Sequence, residues 1–471
     1  KHKDSNMTYY FLGIGGIGMS ALARFFKQSG HNVSGYDRTE SPLTRQLVSE
    51  GIPVHYCDDP SLIPDNIDLV IYTPAVPQDT KEFEYLRDKG LPIKKRSQVL
   101  GELTRGKKCI AVAGSHGKTT TSAMIAFLLS KTDIGCSAFL GGISKNFGSN
   151  LLINTKSKYV VVEADEYDRS FLQLHPFYSV ITATDPDHLD IYGTHEKLIE
   201  AFEQFANQTS PDGAIFLKEG LAGHHHDHDE EHDEEHETKH LHIGEEIKQY
   251  SYSARSIEPD YYAINVRNYN GNIFFDLRTP ERVLYDLELQ NSCLYNVENA
   301  VAAAAVTLNC GINEYQLRNG LKSFEGIQRR FDVRVKNNDI IYIDDYAHHP
   351  KEIAATIESV KYLYPGKRIV GIFQPHLYSR TRDLADQFAE ALKPLDEIIL
   401  LPIYPAREKP IPGVSSGMIL RKLDTMNKYL CSREQIPDMV DALYPDILLT
   451  MGAGDIDRLV PVLEKKLKED L

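Results

Sequence analysis

The stretch Cys109-Ile-Ala-Val-Ala113 runs without a break into Gly114-Ser-His-Gly-Lys-Thr-Thr120 and then into residues 121–130, a helix-like segment. An apolar strand that turns through glycine and lysine and restarts as a helix is the strongest constraint on how this chain folds, because the three parts together make a phosphate-binding loop. Glycines let backbone N–H groups close around phosphate oxygens, and Lys118 reaches the outer phosphates. The Thr119 hydroxyl can hold a magnesium ion, and the start of the helix adds the positive end of its dipole. Gly114, Ser115, His116, Gly117, Lys118, Thr119 and Thr120 are therefore expected to bind a nucleoside triphosphate. The usual motif has about four residues between its first glycine and the Gly-Lys pair, but only Ser115 and His116 stand there in this chain, which narrows the class.

A length of 471 residues is too much for one core and predicts about three domains. Residues 9–14, 31–36 and 69–72 read as strands around a helix at 19–28, the alternation of a parallel sheet with crossover helices. The pattern resumes after the phosphate loop with strands at 159–162 and 178–182. It changes at 261–289, where antiparallel alternation precedes an alanine-rich helix at 297–308, and returns to strand–helix order from 340 onward. Three α/β units in series follow, with domains at 1–106, 107–326 and 327–471. The net charge of −15 argues against a nucleic-acid partner. No apolar run reaches the roughly 18 residues of a membrane span and no secretory signal is evident, so a cytoplasmic protein is expected. The six cysteines are scattered without Cys-x-x-Cys spacing and read as reduced packing residues. The chain opens on Lys1 with its first methionine at Met7, as a processed or trimmed start would.

Residues 223–242 form a low-complexity stretch holding eight of the eighteen histidines, and eight acidic residues fall between Asp227 and Glu237. His228, His232, His236 and His240 are four apart, so a helix would align them for zinc, nickel or copper. The competing reading is a solvated loop, since dense like charge without apolar residues supports no packing.

Near the start, Gly13-Ile-Gly-Gly-Ile-Gly-Met19 follows a strand and opens a helix, with Asp37 at the end of the next strand. Gly13, Gly15, Gly16, Ile17, Gly18 and Met19 would let a diphosphate approach the backbone, and Asp37 would meet a ribose or sugar. A nicotinamide dinucleotide and a UDP-sugar both fit. Past the phosphate loop, the apolar run 159–162 ends in Glu163-Ala-Asp-Glu166, which puts Glu163 where phosphate-loop enzymes hold magnesium. His188, among the acids of Thr184-Asp-Pro-Asp-His-Leu-Asp190, suits a second divalent site. Further on, Asp344-Asp-Tyr-Ala-His-His-Pro350 gathers two acids and two histidines. His376, Arg380 and Arg382 follow another strand and suit a carboxylate or phosphate.

These motifs, together with Tyr295-Asn-Val-Glu-Asn299 and Arg329-Arg-Phe-Asp332, fall in the order and rough spacing of the Mur ligase family, which the chain resembles over nearly its whole length. The resemblance implies an α/β protein in which N- and C-terminal Rossmann-like domains flank a central P-loop ATPase domain. It also implies an ATP-dependent amide ligase using Mg2+, or Mn2+ in its place. Such an enzyme phosphorylates the lactoyl carboxylate of UDP-N-acetylmuramate, and the L-alanine amine then displaces the phosphate through a tetrahedral intermediate. A recycling ligase of the same family, joining a whole peptide to that UDP-sugar, is the alternative.

Carried over motif by motif, the resemblance assigns Lys118, His188, Glu163, His348 and Arg380 to catalysis, and Thr119, Glu163 and His188 to the metal. Asn296, Asn299, Arg330 and Asp345 join the phosphate loop on ATP, while Thr73, Arg96 and Asn150 join the glycine loop and Asp37 on the UDP-sugar. Tyr346, His348, His376 and Arg380 hold the amino acid. A monomer or weak homodimer is expected. Leu377 stands where the family pattern would have arginine, which puts more of the amino acid's carboxylate on Arg380. The His/acid tract has no counterpart in the pattern.

Overall fold

The computed structural model of the protein describes residues 6–186, 189–222, 240–406 and 408–469. Its first sheet is parallel, in the order Val54–His55, Asn32–Tyr36, Thr8–Leu12, Leu69–Tyr72, Ile93–Lys95. Strand order reverses direction between Thr8–Leu12 and Leu69–Tyr72, and ligands of open α/β sheets bind at the carboxyl ends of such a pair. Gly13 and Thr73 stand at those ends. Gly13 has φ 85° and turns the chain out of the sheet, so the strand stops at Leu12 and the buried Ile14 belongs to the loop. The next helix spans Ile17–Gln28, two residues longer than its apolar pattern, because the extended Gly16 caps it and accepts from Ser20 N–H at 2.8 Å. Its inner face, Met19, Leu22, Ala23 and Phe26, is buried.

The central sheet has ten strands, with Lys108–Ala113 between parallel neighbours Tyr178–Ile181 and Tyr159–Glu163. Parallel strands covered on both faces read as unbroken apolar runs, as Cys-Ile-Ala-Val-Ala and Tyr-Val-Val-Val do. The helix behind the phosphate loop spans Lys118–Ser130, beginning at the lysine itself rather than at residue 121. Every residue from Thr119 to Leu129 is buried, which explains why the segment shows so little amphipathic pattern. An antiparallel pair, Ser137–Ser144 with Ser149–Leu152, extends the sheet beyond Tyr159–Glu163. The alternating region resolves into Tyr261–Tyr269, Asn272–Arg278 and Val283–Leu289. The first two are joined by Asn270-Gly271, both with positive φ (51° and 80°), the pairing that a two-residue hairpin turn requires.

The third sheet runs Asp332–Lys336, Ile341–Asp345, Ile447–Met451, Ile369–Phe373, Glu397–Leu400, Lys428–Leu430, antiparallel at the first pairing and parallel thereafter. The chain packs as two compact units. The first holds residues 1–264, 276–287 and 298–324, hence the first sheet and most of the central one; the second holds 265–275, 288–297 and 325–471. All six cysteines are free thiols; four are buried and Cys310 is half-buried, but Cys57 is exposed rather than packed in a core. Among the described residues no helix is long and apolar enough to cross a membrane.

Candidate active site

The phosphate loop is braced from the strand beside it. Ser115 N–H donates to Ala183 O at 3.1 Å, the Ser115 hydroxyl to Asp185 O at 3.0 Å, and the Thr182 hydroxyl to His116 O. The His116 ring lies 3.4 Å from the exposed Asp185 carboxylate. Gly117 adopts the left-handed conformation (φ 80°), and a Cβ there would lie 2.7 Å from Asn299 Oδ1. Asn299 in turn accepts from the Thr121 hydroxyl at 3.2 Å, so it steadies the loop from behind. Thr119 and Thr120 are buried at the start of the helix.

Lys118 points back into the loop, donating to Gly114 O at 3.1 Å and to both oxygens of Glu166 at 2.8 and 2.9 Å. Burial presses its pKa down, but Glu166, Glu163 and Asp165 together hold it above its ordinary value, so the ammonium stays charged. Desolvation raises the Glu166 carboxyl, and Lys118 draws it back only in part. The lysine's short path to Glu166 was hidden from sequence reasoning, which singled out Glu163 as the working acid of that run. Glu163 ends the strand Tyr159–Glu163, and its carboxylate sits so tightly over Gly141 that a Cβ there would overlap it. A carboxylate such as that of Glu163 and a hydroxyl such as that of Thr119 are hard oxygen donors, the kind that suits magnesium. Asp187 and His188 lie outside the described residues.

Glu163 also faces a cavity of about 240 Å3 whose other walls include Gly16, Ile17, Gly18, Met19, Thr73 and Arg96. Six residues expected to bind the UDP-sugar thus share one cavity with the expected metal ligand. Arg96 Nη2 lies 3.8 Å from Asp165 Oδ2. Asp37 lies at the loop's flank, accepting from Gly15 N–H at 2.8 Å and Thr39 N–H at 3.0 Å. Asn150 departs from expectation. It is fully buried, donates to Ile17 O (2.6 Å) and the Ser20 hydroxyl (3.0 Å), and accepts from Arg24 Nη1 (2.7 Å). Its amide is therefore committed to the helix behind the glycine loop and does not line the cavity.

In the second unit, Asp345 ends a strand, buried, accepting from Ala347 N–H and Phe331 N–H, both at 2.8 Å. Desolvation lifts its pKa to about 6 against the pull of Arg330. Arg330 lies 5.3 Å over the Tyr346 ring. His348 Nδ1 lies 3.0 Å from Tyr346 O, and its ring centroid is 6.0 Å from that of His376, which contacts Arg380 at 3.2 Å. Burial, aided by Arg380, drops the His348 pKa to about 3 and lowers that of His376, so both imidazoles are neutral. Tyr346, His348, His376 and Arg380 are thus one cluster. Leu377, at φ 74°, caps the helix Tyr378–Leu392 and donates its N–H to Tyr404 O at 2.9 Å. Asn296 donates to the Ser292 hydroxyl at 2.9 Å. Glu352, which sequence reasoning missed, lies 3.9 Å from His348 and is raised to about 7 by burial. Its signal was the i,i+4 spacing to His348 across the Pro350 helix start.

Residues 8–108 match the Mur ligase family catalytic domain, 112–307 the Mur ligase middle domain and 329–454 the Mur ligase glutamate ligase domain. The chain belongs to the Mur ligase family. It is 48% identical over 97% of its length to the UDP-N-acetylmuramate–L-alanine ligase of Parabacteroides distasonis, of which 96% is covered, and 47% identical to that of Phocaeicola vulgatus, with 96% of each chain covered. The crystal structure of the UDP-N-acetylmuramate–alanine ligase of Thermotoga maritima superposes with a TM-score of 0.82 at 28% identity, covering 99% of this chain and 100% of that one.

Proposed function

We propose that this protein joins L-alanine to the lactoyl carboxylate of UDP-N-acetylmuramate at the expense of ATP, a step of peptidoglycan precursor synthesis. The observation that carries the reading is the shared cavity: the glycine loop that would take the UDP diphosphate and the acid beside the phosphate loop form walls of one space. Full-length likeness to L-alanine ligases favours alanine over a peptide as the acceptor.

In this reading a carboxylate oxygen attacks the γ-phosphorus of ATP and ADP leaves. The amine nitrogen then attacks the acyl carbon, phosphate departs, and the ammonium protons pass to the surroundings. An anion attacking an anion needs its charge neutralised, and Lys118 supplies a cation held charged by its carboxylates. The backbone N–H groups of residues 114–120 hold the phosphates. Thr119 and Glu163 would hold magnesium, with His188 as a third ligand, and the ion would shield the terminal phosphate. Arg380 would pair with the carboxylate of alanine. Neutral His348 and His376 add no positive charge of their own to repel its ammonium, and Glu352 lies where an ammonium can be balanced.

The test is ADP release by the purified protein with Mg2+, ATP, UDP-N-acetylmuramate and L-alanine. Release that needs all three substrates, and falls when a tripeptide replaces alanine, is expected. ADP release with the tripeptide alone would assign the recycling reaction instead.

A further inference from the structure

Asn150 lies in the strand Ser149–Leu152, paired with Ser137–Ser144, and the second of these strands carries Gly141 to the wall of the cavity beside Glu163. From the other side of the cavity, the helix Ile17–Gln28 presents Gly18 and Met19 in its first turn. The two walls come from different sheets, and Asn150 ties them together. Its Nδ2 donates to Ile17 O at 2.6 Å and to the Ser20 hydroxyl at 3.0 Å, both in that first turn. Its Oδ1 accepts from Arg24 Nη1, one turn further along, at 2.7 Å. Arg24 is itself buried and forked onto Glu50, with Nε at 2.7 Å and Nη2 at 3.1 Å.

We propose that Asn150 is a positioning residue for the UDP-sugar: it fixes the distance between the glycine loop and the Gly141–Glu163 wall, so that the sugar's carboxylate lies at the phosphate loop while its diphosphate rests on the helix start. The proposal rests on the function inferred above. An asparagine suits the task because it donates twice and accepts once in one rigid plane, and here each of those bonds is made. With the Asn150 side chain buried, the bonds hold their geometry, and displacements of about 1 Å in a reacting pair cost on the order of 10²-fold in rate. The apolar contact between the two domains, such as Phe25 against Phe139 (5.5 Å between ring centroids), gives adhesion without that directional precision.

Asn150→Asp separates this role from general packing. The carboxylate keeps the size and the Arg24 contact but loses both donated bonds and faces the Ile17 carbonyl with its own lone pairs. The variant is expected to raise the KM for UDP-N-acetylmuramate about tenfold or more, the loss of roughly one such buried bond, with the KM for ATP within about twofold. ADP binding by calorimetry reports that the phosphate loop is intact. If the variant does not fold, Ser20→Ala removes one of the same bonds and is expected to give about a two- to threefold rise in the UDP-sugar KM. A UDP-sugar KM within twofold of the parent in the folded variant, or a parallel rise in both KM values, overturns the proposal. Absence of ADP release by the parent enzyme would instead overturn the function on which it rests.

Discussion

Lys118 is held by Gly114 O and the Glu166 carboxylate, and that sets what its loss should do. With Glu166, Glu163 and Asp165 keeping it charged, Lys118→Ala removes the only side-chain cation of the loop. A fall in kcat of about 10²–10³-fold or more is expected. The UDP-sugar cavity is lined by other residues, so calorimetry should find UDP-N-acetylmuramate affinity within about twofold of the parent. His348 gives a test on stability. Its pKa lies at about 3 in the fold against about 6.5 in an unfolded chain. The unfolded state therefore takes up the proton first as pH falls. The imidazole's contribution is whole above about pH 6.5 and is lost progressively toward pH 3. Between pH 7 and pH 5 this amounts to about 2 kcal/mol. Urea unfolding of the parent and of His348→Gln at both pH values should show the parent losing about that much more stability on acidification than the variant.

At the scale of elements, Gly117 illustrates what a motif hides. The strand, the loop and the helix behind it are legible because apolar runs and the Gly-Lys-Thr turn are local in sequence. That the glycine's missing side chain makes room for Asn299, far along the chain, is not local, and the lysine's pairing with Glu166 is likewise a product of tertiary approach. Gly117→Ala would force an alanine into φ 80° and against Asn299, costing about 1–2 kcal/mol in backbone strain alone. Loss of ATP binding with UDP-sugar binding kept is the expected result by calorimetry. The same limit explains Asn150: a motif match places it beside the sugar, whereas its two donated bonds run to a helix more than a hundred residues earlier. The buried helix Lys118–Ser130 was obscured for another reason, since a segment packed on all sides carries no polar–apolar rhythm to read.

For the whole molecule, the His/acid tract is the one long segment that the family pattern leaves without a role. Residues 223–239 lie outside the described structure, but the chain on either side of them is well placed. Ala222 and Leu241 form a parallel bridge, Leu241 N–H donates to Leu221 O at 2.7 Å, and Leu241 is buried. The chain thus leaves and rejoins the first unit at one spot. Replacing residues 224–239 by a short Gly/Ser linker keeps Leu241 in its seat and removes six of the eight histidines of residues 223–242. Because loop-closure entropy changes only by about 0.6 kcal/mol per doubling of length, the shortened chain should unfold within a few degrees of the parent. Its kcat and KM values should lie within about twofold of the parent's, since none of the expected site residues is touched. Ni2+ and Zn2+ titrations by calorimetry should lose a binding event that the parent shows, because imidazole suits both metals and the tract concentrates it. A drop in kcat on removing the tract would give these residues a part in the reaction, and retained Ni2+ binding would move the metal to histidines elsewhere in the chain.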